Sequence, residues 1–243
     1  MLHSTFIKSD PYSQNDSPDT SYSHSKYDHS EGEVLRISLS RTTAVNAFHK
    51  QWSHKLQESY KTVTFKSYDQ FLSWIGVRTI DWSKQFAEVT TEANTADFSS
   101  AEASLFGLEI SSTPTVKKWN VLSVSDFTLY QVKRDMSIVA VDGVRTQNSP
   151  MIASTMNKNA TLKESLVMSQ GTWELGDLMV VMNKELSQYT NKHPERVFQE
   201  LLLLHSNFSD RLLQLSFHQW IELQRDLYGL AYGKRAECVM IQL

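Results

Sequence analysis

Cysteine is nearly missing from this chain of 243 residues, and Cys238 is the only one. A single thiol closes no intrachain disulfide and cannot build a thiolate cluster for zinc or iron–sulfur. Glycine (8) and proline (5) are scarce as well, which argues against glycine-rich phosphate loops and against barrels with many tight turns. The longest aliphatic run, LLLL at 201–204, falls far short of the roughly 20 apolar residues that span a bilayer. The opening MLHSTFIKSD has no apolar stretch of the kind a secretory signal needs. With one thiol and no signal, an intracellular setting is expected.

What is present is ordinary for a globular protein: 40% hydrophobic and 21% charged residues. The length suits one large domain or two small ones. The formal charge of −3 is unevenly spread. Residues 1–33 carry Lys8 and Lys26 against Asp10, Asp16, Asp19, Asp28, Glu31 and Glu33, so the remainder is slightly positive. That remainder lacks the strong basic field of a non-specific nucleic-acid binder.

The pattern predicts an α+β fold in three segments. Residues 1–33, rich in Ser, Tyr, Asp and His with few aliphatics, read as a disordered acidic tail. Residues 34–150 read as a mixed part. In EVLRISLSR (33–41) Leu35, Ile37 and Leu39 alternate with polar residues, as in a half-buried strand. Val45, Phe48, Trp52 and Leu56 then follow at helical spacing, with Thr42 or Thr43 as N-cap. KTVTFK (61–66) is β-like, and Ser67 with Gln70 forms a capping box for a second helix. VKKWNVLSV, DFTLYQVKR and MSIVAVDG (116–143) read as a β-meander. Residues 151–243 read as mainly helical. A capping box is expected at Thr161 and Glu164, an apolar helical stripe at Leu175, Leu178, Met179, Met182, Leu186 and Tyr189, a helix start at Pro194 and another at Ser209. CVMIQL closes the chain as a strand.

Each candidate site has a plainer role beside it. His24 and His29, near Asp28, Glu31 and Glu33, could ligate a metal, but a flexible tail gives no rigid ligand shell, so neither a metal nor another cofactor is expected. Ser13, Ser25 and Ser30 each stand three residues before an acid, and Ser17 precedes Pro18; these are candidate phosphorylation sites. Asp126, Gln131 and Lys133 resemble a nuclease's metal-binding strand, but Gln131 is a poor substitute for the acid, and a turn at Asp126 and cross-strand pairing of Lys133 are the preferred account. There is no G-x-S-x-G elbow, and no catalytic residue is expected. Lys50, Lys55, Lys61, Lys117, Lys118, Lys133 and Arg134 could bind RNA phosphates or an anionic membrane surface, with Trp74, Trp82 or Trp119 exposed for stacking.

The expectation drawn from these features is a non-enzymatic structural or interaction protein, for example a viral matrix- or movement-type protein. It would form homo-oligomers through its folded body and dock other proteins through the tail. An RNA-binding protein is the alternative, and a metal-dependent nuclease the third reading.

Overall fold

Leu35, Ile37 and Leu39 are buried, as their alternation demands. They lie in a computed structural model that describes residues 2–9, 20–29, 32–42, 44, 46–86, 98–141, 151–207, 210–232 and 234–243. In chain order the elements begin with strands β1 (His3–Ser9), β2 (Thr20–His29) and β3 (Gly32–Arg41). Helices α1 (Ala47–Tyr60) and α2 (Tyr68–Phe86) follow. Next come β4 (Glu102–Ala103), β5 (Leu105–Ser112), β6 (Lys117–Val124), β7 (Thr128–Val132), β8 (Ile138–Val141) and β9 (Ile152–Ala153). After a 3₁₀ turn at Met156–Asn159 come α3 (Leu162–Ser165), β10 (Val167–Thr172) and β11 (Leu178–Met182). Helices α4 (Lys184–Thr190), α5 (Pro194–Asn207) and α6 (Asp210–Tyr228) precede the final strand β12 (Ala236–Gln242). The protein is α+β, and its sheets are antiparallel.

The chain divides into two units, each discontinuous in sequence. The first comprises Met1–Asn15, Phe127–Gly143 and Trp173–Leu243, and the second Asp16–Asp126 and Val144–Thr172. This division cuts across the sequence boundaries expected near residues 33 and 150.

In the second unit the sheet runs β10-β6-β5-β3-β2. Ile37 faces Leu108, and Leu108 faces Val121. Trp52 and Leu56 of α1 and Phe71, Ile75 and Trp82 of α2 build a core with Leu105, Leu122 and Val124. Trp52 and Trp82 meet edge to face at 5.4 Å, a favoured aromatic geometry. Two glycines make room for rings. A Cβ on Gly107 would stand 2.3 Å from the Tyr60 ring, and one on Gly171 would stand 2.4 Å from Trp119, its cross-strand partner.

In the first unit the order is β1-β12-β11-β7-β8. β11 is central, and all five of its residues are buried. Val180, Met182, Cys238 and Met240 join Val197, Phe198 and Leu201 of α5 and Phe217 and Ile221 of α6 in one core. β1 is an edge strand, and the Gln214 amide of α6 both accepts from Lys8 N (3.1 Å) and donates to Lys8 O. That contact satisfies backbone groups a sheet edge leaves open.

Several expectations change. His3–Ser9 and Thr20–His29 are strands rather than unordered tail, because β12 and β3 supply ladders that a polar segment alone cannot make. The meander is split: β6 pairs with β5 and β10, whereas β7 and β8 lie in the other sheet. The apolar stripe at 175–189 is strand β11 followed by α4, since a wholly apolar run suits a strand buried on both faces. KTVTFK forms no strand. Asn46, not a threonine, caps α1 by accepting from His49 N at 2.9 Å; Thr42 makes a bridge with Ala103, and Thr43 lies outside the described residues. Thr161 makes no side-chain cap, and α3 is a single turn. The Ser67 cap is made: its Oγ accepts from Gln70 N at 3.3 Å.

Candidate functional sites at strand ends and in a lysine-lined cleft

Strand ends in both units carry polar side chains that must find partners, because burial removes their water. In the second unit β3 ends in Ser40 and Arg41. Ser40 Oγ donates to Ser104 O (2.6 Å) and accepts from Ser53 Oγ (2.7 Å). Arg41 N donates to Ser104 Oγ (2.9 Å). The Arg41 guanidinium reaches Thr20 Oγ1 through Nε and Asp126 Oδ2 through Nη1, the latter at 2.9 Å. Gln57 of α1 donates to Ser21 O and Ser38 O.

In the first unit β11 ends at Met182, and the fully buried Asn183 holds the turn into α4. Its Oδ1 accepts from Leu186 N and Glu237 N, both at 3.3 Å, and its Nδ2 donates to Arg235 O at 2.8 Å. Glu237 is fully buried, and Arg235 Nη1 lies 3.7 Å from its Oε1. At the other end of β11, Asp177 Oδ2 accepts from Gln131 Nε2 (2.7 Å), Lys133 Nζ (3.0 Å) and Glu174 N (3.0 Å). Burial pushes this carboxyl up, but those three donors outweigh it and hold it below the usual carboxylate range. Burial alone pushes the Cys238 thiol far up, leaving it an inert core residue.

Two clefts open in the second unit. One, of about 620 Å³, lies along α1 and α2 and is lined by Lys50, His54, Lys55, Glu58 and Trp82, among others. The other, of about 590 Å³, lies where the loop after α1 meets β6 and β10. Lys66 and Lys118 line it together with Asn120, Ser169 and Gln170, above an apolar floor of Phe65, Val121 and Met168. No carboxylate is among its lining residues.

The expected basic residues are thereby sorted. Lys50 and Lys55 share the first cleft and Lys118 lies in the second. Lys61 pairs with Glu58 at 2.6 Å, and Lys117 starts β6. Lys133 is committed to Asp177, and Arg134 is exposed beside Gly176 in the same unit. Trp74, Trp82 and Trp119 are buried, so none of them offers a stacking face for bases. The nuclease-like set is not one site: Asp126 bonds Arg41, while Gln131 and Lys133 both bond Asp177. Ser25 lies in β2 with its hydroxyl buried; Ser13, Ser17, Ser30 and Glu31 lie outside the described residues. Sequence reasoning missed Lys66, Ser169 and Gln170, which reach Lys118 only through the β6–β10 pairing and the α1–α2 loop.

Solved structures resemble this arrangement along its whole length. The serine/threonine phosphatase PstP/Ppp of Mycobacterium tuberculosis matches 100% of this chain and 98% of its own, with TM-score 0.57 and 11% identity. A serine/threonine phosphatase of S. agalactiae covers 100% of both chains, with TM-score 0.54 and 10% identity. The fold is that of PP2C-type phosphatase domains. The PP2C domain of SpoIIE from Bacillus subtilis, solved with part of its regulatory domain, gives TM-score 0.59 at 12% identity over 100% of this chain and 63% of that one. No protein-family model matches the sequence, and no curated protein does.

This likeness overturns the expectation of a non-enzymatic structural protein of viral matrix or movement type, because the matched domains are enzymes. The RNA-binding and nuclease alternatives fall with it. Among the described residues no helix is long and apolar enough to cross a membrane. The catalytic domain of PstP was solved with two manganese ions, so the fold implies a metal centre that the donor set here must be able to fill. Among the described residues no group of three or more His, Cys, Asp or Glu side chains is placed to hold a metal ion. The described residues do not fit such a centre.

Proposed function

We propose that this chain engages protein segments carrying phosphoserine or phosphothreonine. The observation behind the reading is the fold, which matches serine/threonine phosphatases from end to end. The cleft of Lys66 and Lys118 supports it. Two ammonium groups in a lining that contains no carboxylate suit a phosphate dianion. The nearby Glu109 carboxylate is taken up by Thr64, Asn120 and Arg36, and Ser169 and Gln170 add hydrogen-bonding groups. Phe65, Val121 and Met168 offer apolar surface to the residues flanking the phosphate. The partner is a phosphorylated protein met inside the cell.

The test is a titration of labelled phosphothreonine peptides against their unphosphorylated forms, read by fluorescence polarisation. The phosphorylated form should bind more tightly. The Lys66→Glu/Lys118→Glu double variant should lose about tenfold in affinity, or ~1.4 kcal/mol. Equal affinity for both peptide forms would sink the reading. Phosphate release, measured in the same samples, separates turnover from binding.

A further inference from the structure

Three carboxylates are buried among the described residues, Asp126, Asp177 and Glu237. Each has a cation of its own unit beside it: Arg41 at 2.9 Å, Lys133 at 3.0 Å and Arg235 at 3.7 Å. A buried carboxylate is stabilised by a fixed cation, by a metal ion, by hydrogen-bond donors or by taking up a proton. Here the first solution is built into the chain three times.

The ends of the central strands show the same choice. β11 and β12 pair antiparallel with Met182 opposite Cys238, so the residues after Met182 and before Ala236 meet at one end of the sheet. That end carries Lys184, Lys234 and Arg235 alongside two carboxylates that are already engaged, Glu185, which accepts from Asn183 Nδ2, and Glu237, which faces Arg235. A pair of divalent ions needs carboxylates to converge and bridge at close range, and ammonium and guanidinium groups repel such ions. In the second unit the end of β3 presents Ser40, committed to Ser104 and Ser53, and Arg41, committed to Asp126.

We infer that the described residues of this chain hold no pair of divalent metal ions, because its buried carboxylates are neutralised by its own arginine and lysine side chains. The inference rests on the phosphatase fold assigned above, and it means that a phosphorylated partner is met by fixed protein cations. Phosphopeptide binding is then independent of metal, and so is the stability of the folded chain, because a ligand that does not bind the native state cannot shift its melting temperature.

Manganese itself is the probe. The full-length protein, stripped with EDTA and desalted, is titrated with MnCl₂ while the six-line electron paramagnetic resonance signal of free Mn²⁺ is followed. The signal should grow in proportion to added metal, with no protein-dependent loss. The melting temperature should coincide in excess EDTA and in millimolar Mn²⁺. Saturable loss of signal corresponding to two ions per chain, or a metal-dependent rise in melting temperature, would overturn the inference. Phosphopeptide titrations in EDTA and in Mn²⁺ keep the two proposals apart. Binding that requires Mn²⁺ defeats this inference alone, whereas absence of phosphate-dependent binding in both buffers defeats the proposed function and leaves the resonance result to stand by itself.

Discussion

Beneath α1, the unit that holds β3 hides a row of neutral hydroxyls, Ser38, Ser40, Ser53 and Ser104. The unit that holds β11 hides more charge: Glu237, Asp177 and Arg225 are all at most 4% exposed, against the one buried carboxylate, Asp126, among the described residues of the other unit. A hydroxyl can rotate to a new partner, and losing one neutral bond costs little. A buried carboxylate has no such freedom, and removing its cation strands a charge. The two units therefore tolerate change unequally, and the first should be the more brittle.

The largest effect should separate them most clearly. Arg235→Ala leaves the fully buried Glu237 without the guanidinium 3.7 Å away and is expected to cost about 3–5 kcal/mol. Ser40→Ala, in the other unit, should cost only about 1 kcal/mol, because Ser53 Oγ keeps Ser21 Oγ at 3.1 Å as a partner. Chemical denaturation followed by tryptophan fluorescence measures both. Equal losses would erase the contrast.

Asparagine caps, one taken from each unit, give a second comparison. Asn46 makes a single cap bond to His49 N, and Asn46→Ala should cost about 1 kcal/mol. Asn183 caps α4 and also ties β11 to Glu237 N and Arg235 O. Asn183→Ala should cost about 2–3 kcal/mol, since buried backbone groups lose their partner as well. Matching denaturation midpoints for the two variants would show that the extra bonds of Asn183 contribute nothing.

Gly107 and Gly171 sharpen the picture within the second unit. Gly107→Ala puts a methyl into the Tyr60 ring and Gly171→Ala puts one into Trp119. Tyr60 and Trp119 are equally buried, but Gly107 lies in β5 inside the sheet whereas Gly171 lies in the edge strand β10, which can give way, so Gly107→Ala is expected to be the worse of the two. Overpacking of this kind typically costs about 1–3 kcal/mol, and thermal melts of the two variants would rank them.

How much of this was readable in advance depends on the distance over which a residue's fate is decided. β3 was legible because period-two alternation is local, and Leu35, Ile37 and Leu39 fall on the core face without any knowledge of β5. Pro194 likewise marked the start of α5. β11 was misread because Leu178, Met179 and Met182 fit a helical stripe as well as a strand, and only the flanking ladders with β7 and β12 decide the matter. The acidic first segment reads as tail because its own composition buries little, while the order of its described strands comes from β12, at the far end of the chain, and from β3. The candidate sites were least legible. Arg41 and Asp126 are 85 residues apart, and Lys133 and Asp177 are 44 apart. Lys118 was marked as a basic residue, but the cleft that gives it company exists only once β6 pairs with β10.

The smallest effect concerns pH and bears on whether buried charge in the first unit stabilises it at all. Asp177 feels burial first, which raises its pKa, but the Glu174 N–H, the Lys133 ammonium and the Gln131 amide together lower it below the ordinary value. A carboxyl depressed in the folded state binds its proton more readily when unfolded. Its contribution is therefore present above the ordinary carboxylate value and is lost as pH falls through the lowered one. Stability measured from neutral pH down into the acid range should decline across that window, and Asp177→Asn should flatten this part of the curve while lowering the neutral plateau. Lys133→Ala should flatten it only in part, because Lys133 is about one-third exposed and the Gln131 and Glu174 donors remain. An Asp177→Asn curve parallel to that of the native protein would mean that the pairing in this unit merely neutralises a buried charge and adds nothing beyond that.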